Sequence, residues 1–184
     1  KVNIIANLYN NENILPAWIR EVERVIHILG PSKVCISIVE NYSVDGTKDI
    51  LHYWNSSLKS RGICSKVTIG YKESTTDRDK MQRIDRLSEL RNVAFDQIIN
   101  KNVTTIFLND IIFVAEDMLT LLLDLYYSDI DVSCAMDYNG VGLYDVWVTR
   151  SIQKKVVSPI YPYFTDHESV KNLTNGFPVD VYSC

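Results

Sequence analysis

The chain has 184 residues, 46% of them hydrophobic and 23% charged. That is the composition of an ordinary globular chain with a core of its own. Its net charge of −4 leaves no basic stripe of the kind nucleic-acid binding needs, so no nucleic-acid partner is expected. No apolar run approaches the roughly 20 residues that span a bilayer. The chain also starts at Lys1 inside a strand-like run, as expected of a processed or excised piece whose targeting segment lies elsewhere.

Val2 to Leu8 (VNIIANL) is continuously apolar and reads as a buried strand. Asn13 is a candidate cap for a helix running to about Leu29, with Pro16 tolerated in its first turn and Ile19, Val22, Ile26 and Leu29 on one face. Gly30-Pro31 stops it. KVCISIVE is a second strand that ends on Glu40, and a helix from Thr47 to about Ser60 carries Ile50, Leu51, Trp54 and Leu58. KVTIGY is a third strand. The polar stretch KESTTDRDKMQR reads as a solvated loop or a lid. A long amphipathic helix, RIDRLSELRNVAFDQIIN, turns Ile84, Leu87, Leu90, Val93, Ala94 and Ile98 inward. TTIFLND is a strand, and IIFVAED leads into the helix EDMLTLLLDLYY. DVSCAMDY and LYDVWV read as two further strands.

This alternation predicts an α/β, Rossmann-type, mostly parallel sheet flanked by helices on both faces, in a single domain over residues 1–184. Ligands of such sheets lie outside the carboxyl ends of the strands. The expected edge therefore comprises Leu8 to Glu12, Glu40 to Asp45, Asn109 to Asp110, and Asp137. None of the four cysteines forms a CxxC pair, which argues against a zinc site. Cys35 and Cys134, in apolar runs, read as buried thiols, while Cys64 and Cys184 are the pair free to bridge. Four N-x-S/T sequons, at Asn41, Asn55, Asn102 and Asn172, lean towards the secretory pathway. Asn41 falls in the expected ligand loop and is not expected to carry a glycan.

The chemistry is expected at the strand ends. Glu40 suits hydrogen bonds to a base or ribose, and Asp45 is either a second such acid or a helix cap. No GxxxxGK[ST] and no GxGxxG is present, so a bound diphosphate needs a metal or arginines. Arg83, Arg86 and Arg91 are the arginines on offer. Asp110, directly after TTIFL, is a candidate ligand for Mn²⁺ or Mg²⁺. Asp137, Asp145, Tyr144 and Trp147 offer carboxylates beside aromatic rings, either a sugar platform or the edge of a core. His27, His52 and His167 share no ligand spacing.

Together these pieces carry a resemblance. YNNENILPAW resembles the YNEE-x-LP segment of sugar-nucleotide transferases of the GT-A fold. VENYSVDGT resembles their DDGSxDGT turn, and LRNVAFDQI followed by FLND resembles their ARN helix and FLDxDD strand. Over nearly the whole chain, ANLYNNE, ISIVENYSVDGTKDIL, RIDRLSELRN, FLNDIIF, CAMDY with YDVWVTR, and YPYF with PVDVYSC resemble the fungal capsule-associated α-1,3-mannosyltransferase family. The resemblance implies transfer of mannose from GDP-mannose to a mannose-containing glycan or lipid acceptor, with retention. It also implies a membrane-anchored, lumen-facing Golgi enzyme.

Carried onto this chain, the resemblance implies that Tyr9, Asn10 and Glu12 line the nucleotide, with Glu40 on the base or ribose and Ser43 and Asp45 fixing the turn. Arg83, Arg91 and Asn109 belong to the nucleotide-sugar site, Asp110 is the metal ligand, and Tyr144 and Trp147 face the acceptor. Asp137 or Asp145 is the candidate catalytic carboxylate, as nucleophile of a covalent route or base of an inverting one. One departure stands out: where the wider pattern has two or three acids, this chain has Asn109, Asp110, Ile111 and Ile112. The rival readings are a non-catalytic sugar- or nucleotide-binding domain and an inverting transferase using another nucleotide sugar.

Overall fold

A computed structural model describes residues 1–72, 83–97 and 103–184. Two compact units emerge where the sequence reads as one domain, residues 1–119 and 120–184. Each is described by itself.

The first unit is built on four parallel strands: β1 (Val2–Leu8), β2 (Val34–Glu40), β3 (Cys64–Thr68) and β4 (Thr104–Leu108), in the order β3-β2-β1-β4. The chain steps outward from β1 through β2 to β3, then returns to the other side of β1. The order of strands thus reverses between β1 and β4, which is where an open parallel sheet opens its ligand crevice.

Period-two alternation sorts the side chains of the central strands. Ile4, Ala6 and Leu8 of β1 and Val34, Ile36 and Ile38 of β2 join one apolar cluster with α1 (Leu15–Leu29) and α2 (Thr47–Ser60). Trp18 of α1 meets Trp54 of α2 edge to face at 5.9 Å. Val39, on the other face, packs on Leu90 and Ala94 of α3 (Arg83–Asp96). Helices therefore cover both faces, as the alternation predicts. The α3 face is the more polar, because the Ser37 hydroxyl donates to the Ala94 carbonyl at 2.6 Å. Burial of β1 and β2 on both sides explains why they read as unbroken apolar runs.

Ionic ties lock the first helix layer. Buried Glu21 of α1 accepts from Arg20, Arg24 and the Ala115 amide, which opens α4 (Ala115–Tyr127). Arg24 also pairs with Glu116. Glu23 accepts from the Trp54 indole at 2.6 Å and from Arg61, tying α1 to α2.

The second unit holds two small antiparallel ladders. β5 (Tyr138–Asn139) pairs with β6 (Gly142–Leu143), and β7 (Arg150–Ser151) pairs with β8 (Val181–Ser183). Helix α5 (His167–Thr174) is capped by Asp166, which accepts from the Ser169 amide at 2.8 Å. Leu143, Val157, Tyr163 and Phe164 form its core.

Several local expectations are corrected. DVSCAMDY is irregular up to Asp137, and only Tyr138 enters a strand. LYDVWV is mostly turn, because the Asp145 carbonyl accepts from the amides of Val148 and Thr149 and curls the chain. Asn13 does not cap α1. The Asn11 carbonyl instead accepts from the Ile14 and Leu15 amides at 3.0 and 2.9 Å. Ile84 is exposed rather than inward. The KESTTDRDKMQR stretch, Ile98 and the Asn102 sequon lie largely or wholly outside the described residues. No cysteine is a free thiol, and Cys64 does not pair with Cys184: the bridges are Cys35–Cys64 and Cys134–Cys184. Cys35 and Cys64 face each other in the β2–β3 register, a closeness that a sequence separation of 29 does not reveal.

Candidate functional site

The site begins where β1 and β2 stop. Their two loops, Tyr9 to Glu12 and Asn41 to Gly46, are stitched together reciprocally. The Asn10 amide donates to the Ser43 hydroxyl at 2.9 Å, while the Val44 amide donates to the Asn10 side-chain oxygen at 2.9 Å. The Glu12 amide donates to Asp45 at 3.0 Å, and the Gly46 amide donates to the Glu12 carboxylate at 2.9 Å. The Asn11 amide donates to the buried Thr47 hydroxyl at 2.8 Å. Asp45, just before the N-cap Gly46, also accepts from the Thr47 amide at 3.1 Å, so it both satisfies the first amide of α2 and holds the opposite loop. Burial opposes this carboxylate, but the bonds from Thr47 and from the Glu12 amide outweigh it and hold its pKa below the ordinary value.

Two backbone features make the stitching possible. Asn10 sits at φ 53° and Tyr42 at φ 59°, a region few side chains adopt. Gly46 leaves room for the Glu12 carboxylate, since a Cβ there lands 2.6 Å from the Glu12 Oε1 and would displace it.

Asn11 carries the link to the other side of the crevice. Its side-chain nitrogen donates to Asp110 Oδ2 at 3.3 Å, and its oxygen accepts from the Tyr9 amide at 2.7 Å. One buried amide therefore spans the β1–β4 reversal and orients an exposed carboxylate at its mouth. Asn109 beside it is also exposed. Arg91 of α3 stacks its guanidinium on the Phe107 ring of β4 at 5.3 Å.

Glu40 has a different place from the one its position suggests. It is 0% exposed. One carboxylate oxygen accepts from the Ser43 amide and the other from the Gly70 amide at 2.7 Å. Its carbonyl accepts from the Tyr71 amide at 3.0 Å. Both oxygens face backbone donors, so Glu40 presents no surface to a base or ribose. It clasps the loops that follow β2 and β3. Ser43, also buried, braces Asn10, and the Asn41 sequon that depends on it sits in this bonded turn.

The remaining expected residues are distributed as follows. Tyr9, Asn10, Glu12, Ser43, Asp45, Asn109 and Asp110 meet at one sheet edge. Arg83 is the first residue of α3. Asp137, Tyr144, Asp145 and Trp147 belong to the second unit, where the Tyr144 amide donates to the Asp137 carbonyl at 3.0 Å. Trp147 is 80% exposed. Asn11, Thr47 and Gly46 hold this edge together, and none was singled out from the sequence, although Asn11 lies within the expected Leu8 to Glu12 edge. The doubled asparagine of YNNEN was the available signal, because two adjacent Asn side chains at a strand end point to two different partners.

Among the described residues no group of three or more His, Cys, Asp and Glu is placed to hold a metal ion. Asp110 is one carboxylate, flanked by the Asn109 amide. That donor set fits a hard cation only if diphosphate oxygens and water complete its shell.

The whole chain, residues 1–184, matches the family described as Cryptococcal mannosyltransferase 1. A relative from Cryptococcus neoformans var. neoformans serotype D, the alpha-1,3-mannosyltransferase CMT1, is 30% identical over 163 residues, which cover 81% of this chain. The match spans 35% of that relative's length. Solved structures include S. aureus TarS 1–349 in complex with UDP (14% identity, TM-score 0.48, 86% of this chain and 45% of that chain). TarS 1–349 alone gives 14% identity and TM-score 0.46 over 83% of this chain and 41% of that one. With its full length matched, the chain belongs to the Cryptococcal mannosyltransferase 1 family.

Proposed function

We propose that this chain forms the nucleotide-sugar site of a retaining α-1,3-mannosyltransferase that moves mannose from GDP-mannose to a mannose-containing glycan or lipid acceptor. The observation that carries the reading is the Asn11–Asp110 link across the β1–β4 reversal. It sets a single oriented carboxylate where the diphosphate of a nucleotide sugar lies in such sheets. The family match and the mannosyltransferase relative support the transferred sugar.

In this reading, the stitched loops of β1 and β2 form a fixed wall for the nucleotide, with Tyr9 exposed upon it. Arg91, exposed on Phe107, adds positive charge for the diphosphate, and Arg83 is its second candidate. Asp110 and Asn109 are the groups that would hold Mn²⁺ or Mg²⁺ together with the diphosphate. The ion, when bound, neutralises charge on the leaving group. Asn11 keeps Asp110 aimed outward. Same-face delivery of the acceptor needs no protein base, whereas a covalent or inverting route needs a carboxylate, for which Asp137 and Asp145 are the candidates. Tyr144 and Trp147 are proposed to meet the acceptor.

Residence in an oxidising, lumenal compartment such as the Golgi is part of the proposal, supported by the two disulfides. Membrane anchorage is proposed from the family alone. No helix among the described residues is long and apolar enough to cross a membrane.

The test is calorimetric titration of GDP-mannose with and without Mn²⁺, for the native protein and Asp110→Asn, followed by a transfer assay on a mannose disaccharide. Binding that needs both Mn²⁺ and Asp110, with an α-linked product, is expected. Unchanged turnover in Asp110→Asn would overturn the metal assignment. Donor binding without transfer or hydrolysis would favour a non-catalytic binding domain.

A further inference from the structure

Three features meet at one point on the carboxyl edge of the sheet. Tyr42 holds a left-handed backbone, φ 59°, although a bulky residue there is strained. Lys48 and Lys72 each place the side-chain nitrogen 4.6 Å from the centre of the Tyr42 ring. Two ammonium groups thus lie no more than twice that distance apart. Among the described residues, the ion pairs are made by Arg20, Arg24 and Arg61, and neither lysine has a carboxylate within 4 Å. Lys48 is moreover the second residue of α2, at the positive end of the helix dipole, where a cation is disfavoured. The ring is 42% exposed and holds two ammonium groups by cation–π contact, one of them at the helix end where a cation is disfavoured. Local rules broken together mark a functional position.

The position says which part of a ligand is concerned. Asn11 and Asp110 lie at the β1–β4 reversal. Tyr42 lies after β2, and Lys72 lies beyond β3, on the opposite side of β1. In sheets of this type the phosphates sit at the reversal and the nucleoside half lies over the end of the second strand. The two lysines therefore flank the nucleoside end, not the diphosphate end.

Their chemistry narrows the base. An ammonium donates and never accepts. Guanine presents two adjacent acceptors, O6 and N7, whereas adenine places an amino donor beside N7, cytosine offers an amino donor, and uracil presents O4 with no N7 beside it. We propose that Lys48 and Lys72, gathered on the Tyr42 ring, select the donor's nucleobase by donating to the O6 and N7 atoms of guanine. The proposal rests on the nucleotide-sugar reading above and names the specificity residues of that same site. Tyr42 acts by positioning both ammonium groups.

The experiment is titration of the native chain with GDP, inosine diphosphate, 7-deaza-GDP, ADP, UDP and pyrophosphate. The same series is run on Lys48→Met, Lys72→Met and Tyr42→Gly, with thermal melting of each. Native protein should bind GDP and inosine diphosphate alike, since both keep O6 and N7. It should bind 7-deaza-GDP and ADP about tenfold or more weakly. Each lysine variant should lose that preference while keeping its melting temperature. Tyr42→Gly should also lose it, with a melting temperature unchanged or raised as the strained φ is relieved, a response that a purely structural tyrosine would not give. Preference for GDP unchanged in both lysine variants overturns the proposal. So does an equal loss for every nucleotide and for pyrophosphate, which would make this a simple anion site. Native preference for UDP or ADP overturns the guanine assignment and leaves the nucleotide-sugar reading standing. Binding of no nucleotide or nucleotide sugar at all, with Mn²⁺ present, removes both.

Discussion

Glutamine in place of Glu40 separates a clasp from a ligand contact. In the native chain both carboxylate oxygens of this fully buried side chain accept from backbone amides, of Ser43 and of Gly70. Glu40→Gln keeps shape and volume but has only one acceptor oxygen. Its amino group must then face one of those two N–H donors. A hydrogen bond to a charged group contributes about 1.5–3 kcal/mol, and a buried donor left without a partner costs about 1–3 kcal/mol. The two are alternative views of a single lost pair, so the expected destabilisation is about 3 kcal/mol. For a chain of this size that lowers the melting temperature by about 6–12 °C. Thermal melting near neutral pH, alongside GDP-mannose titration well below the melting range, reads both quantities. A variant that melts like the native protein yet fails to bind would refute the clasp and return Glu40 to the nucleoside.

Two further expectations follow from the same geometry. Gly46→Ala drives a Cβ to 2.6 Å from Glu12 Oε1, so the Glu12 side chain swings away and its bond to the residue 46 amide is lost, at about 1 kcal/mol. In urea unfolding, adding Gly46→Ala to Glu12→Ala should cost less than it does alone, and full additivity would refute the coupling. Glu21 titrates at about 2, because bonds from Arg24, Arg20 and the Ala115 amide favour its charged form. A carboxyl depressed in this way stabilises the fold above its ordinary value of 4.5, and that contribution fades as pH falls towards about 2. Melting temperature followed across this acid range should fall more steeply in the native protein than in Glu21→Gln, and parallel curves would contradict the assignment.

The first unit was largely legible in the sequence because its central strands are buried on both faces and its helices carry clear stripes. Leu51, Trp54 and Leu58 mark one face of α2 and are buried there. The second unit was not, since VSCAM and VWV are apolar enough for strands while backbone turns at Asp145 decide their shape. In the site, position along the chain located the edge but not the direction of each side chain. Glu40 and Asp110 both end strands, yet one is sealed between amides and the other is exposed. Asn11, which joins Asp110 to the β1 loop, is indistinguishable by composition from Asn10 beside it. Pairings between loops some 34 residues apart leave no local pattern to read.

The reciprocal stitching of the β1 and β2 loops has a kinetic meaning. Each loop supplies both donors and acceptors to the other, so neither can swing outward without breaking several bonds at once. Under the proposed function, a donor arriving at this edge meets a surface already ordered, and little conformational entropy is lost on capture. Discrimination among donors then falls to the groups displayed on that surface rather than to a closing motion of these two loops. Substitutions that loosen the stitching should slow binding and weaken it together, whereas substitutions of the displayed side chains should act on release.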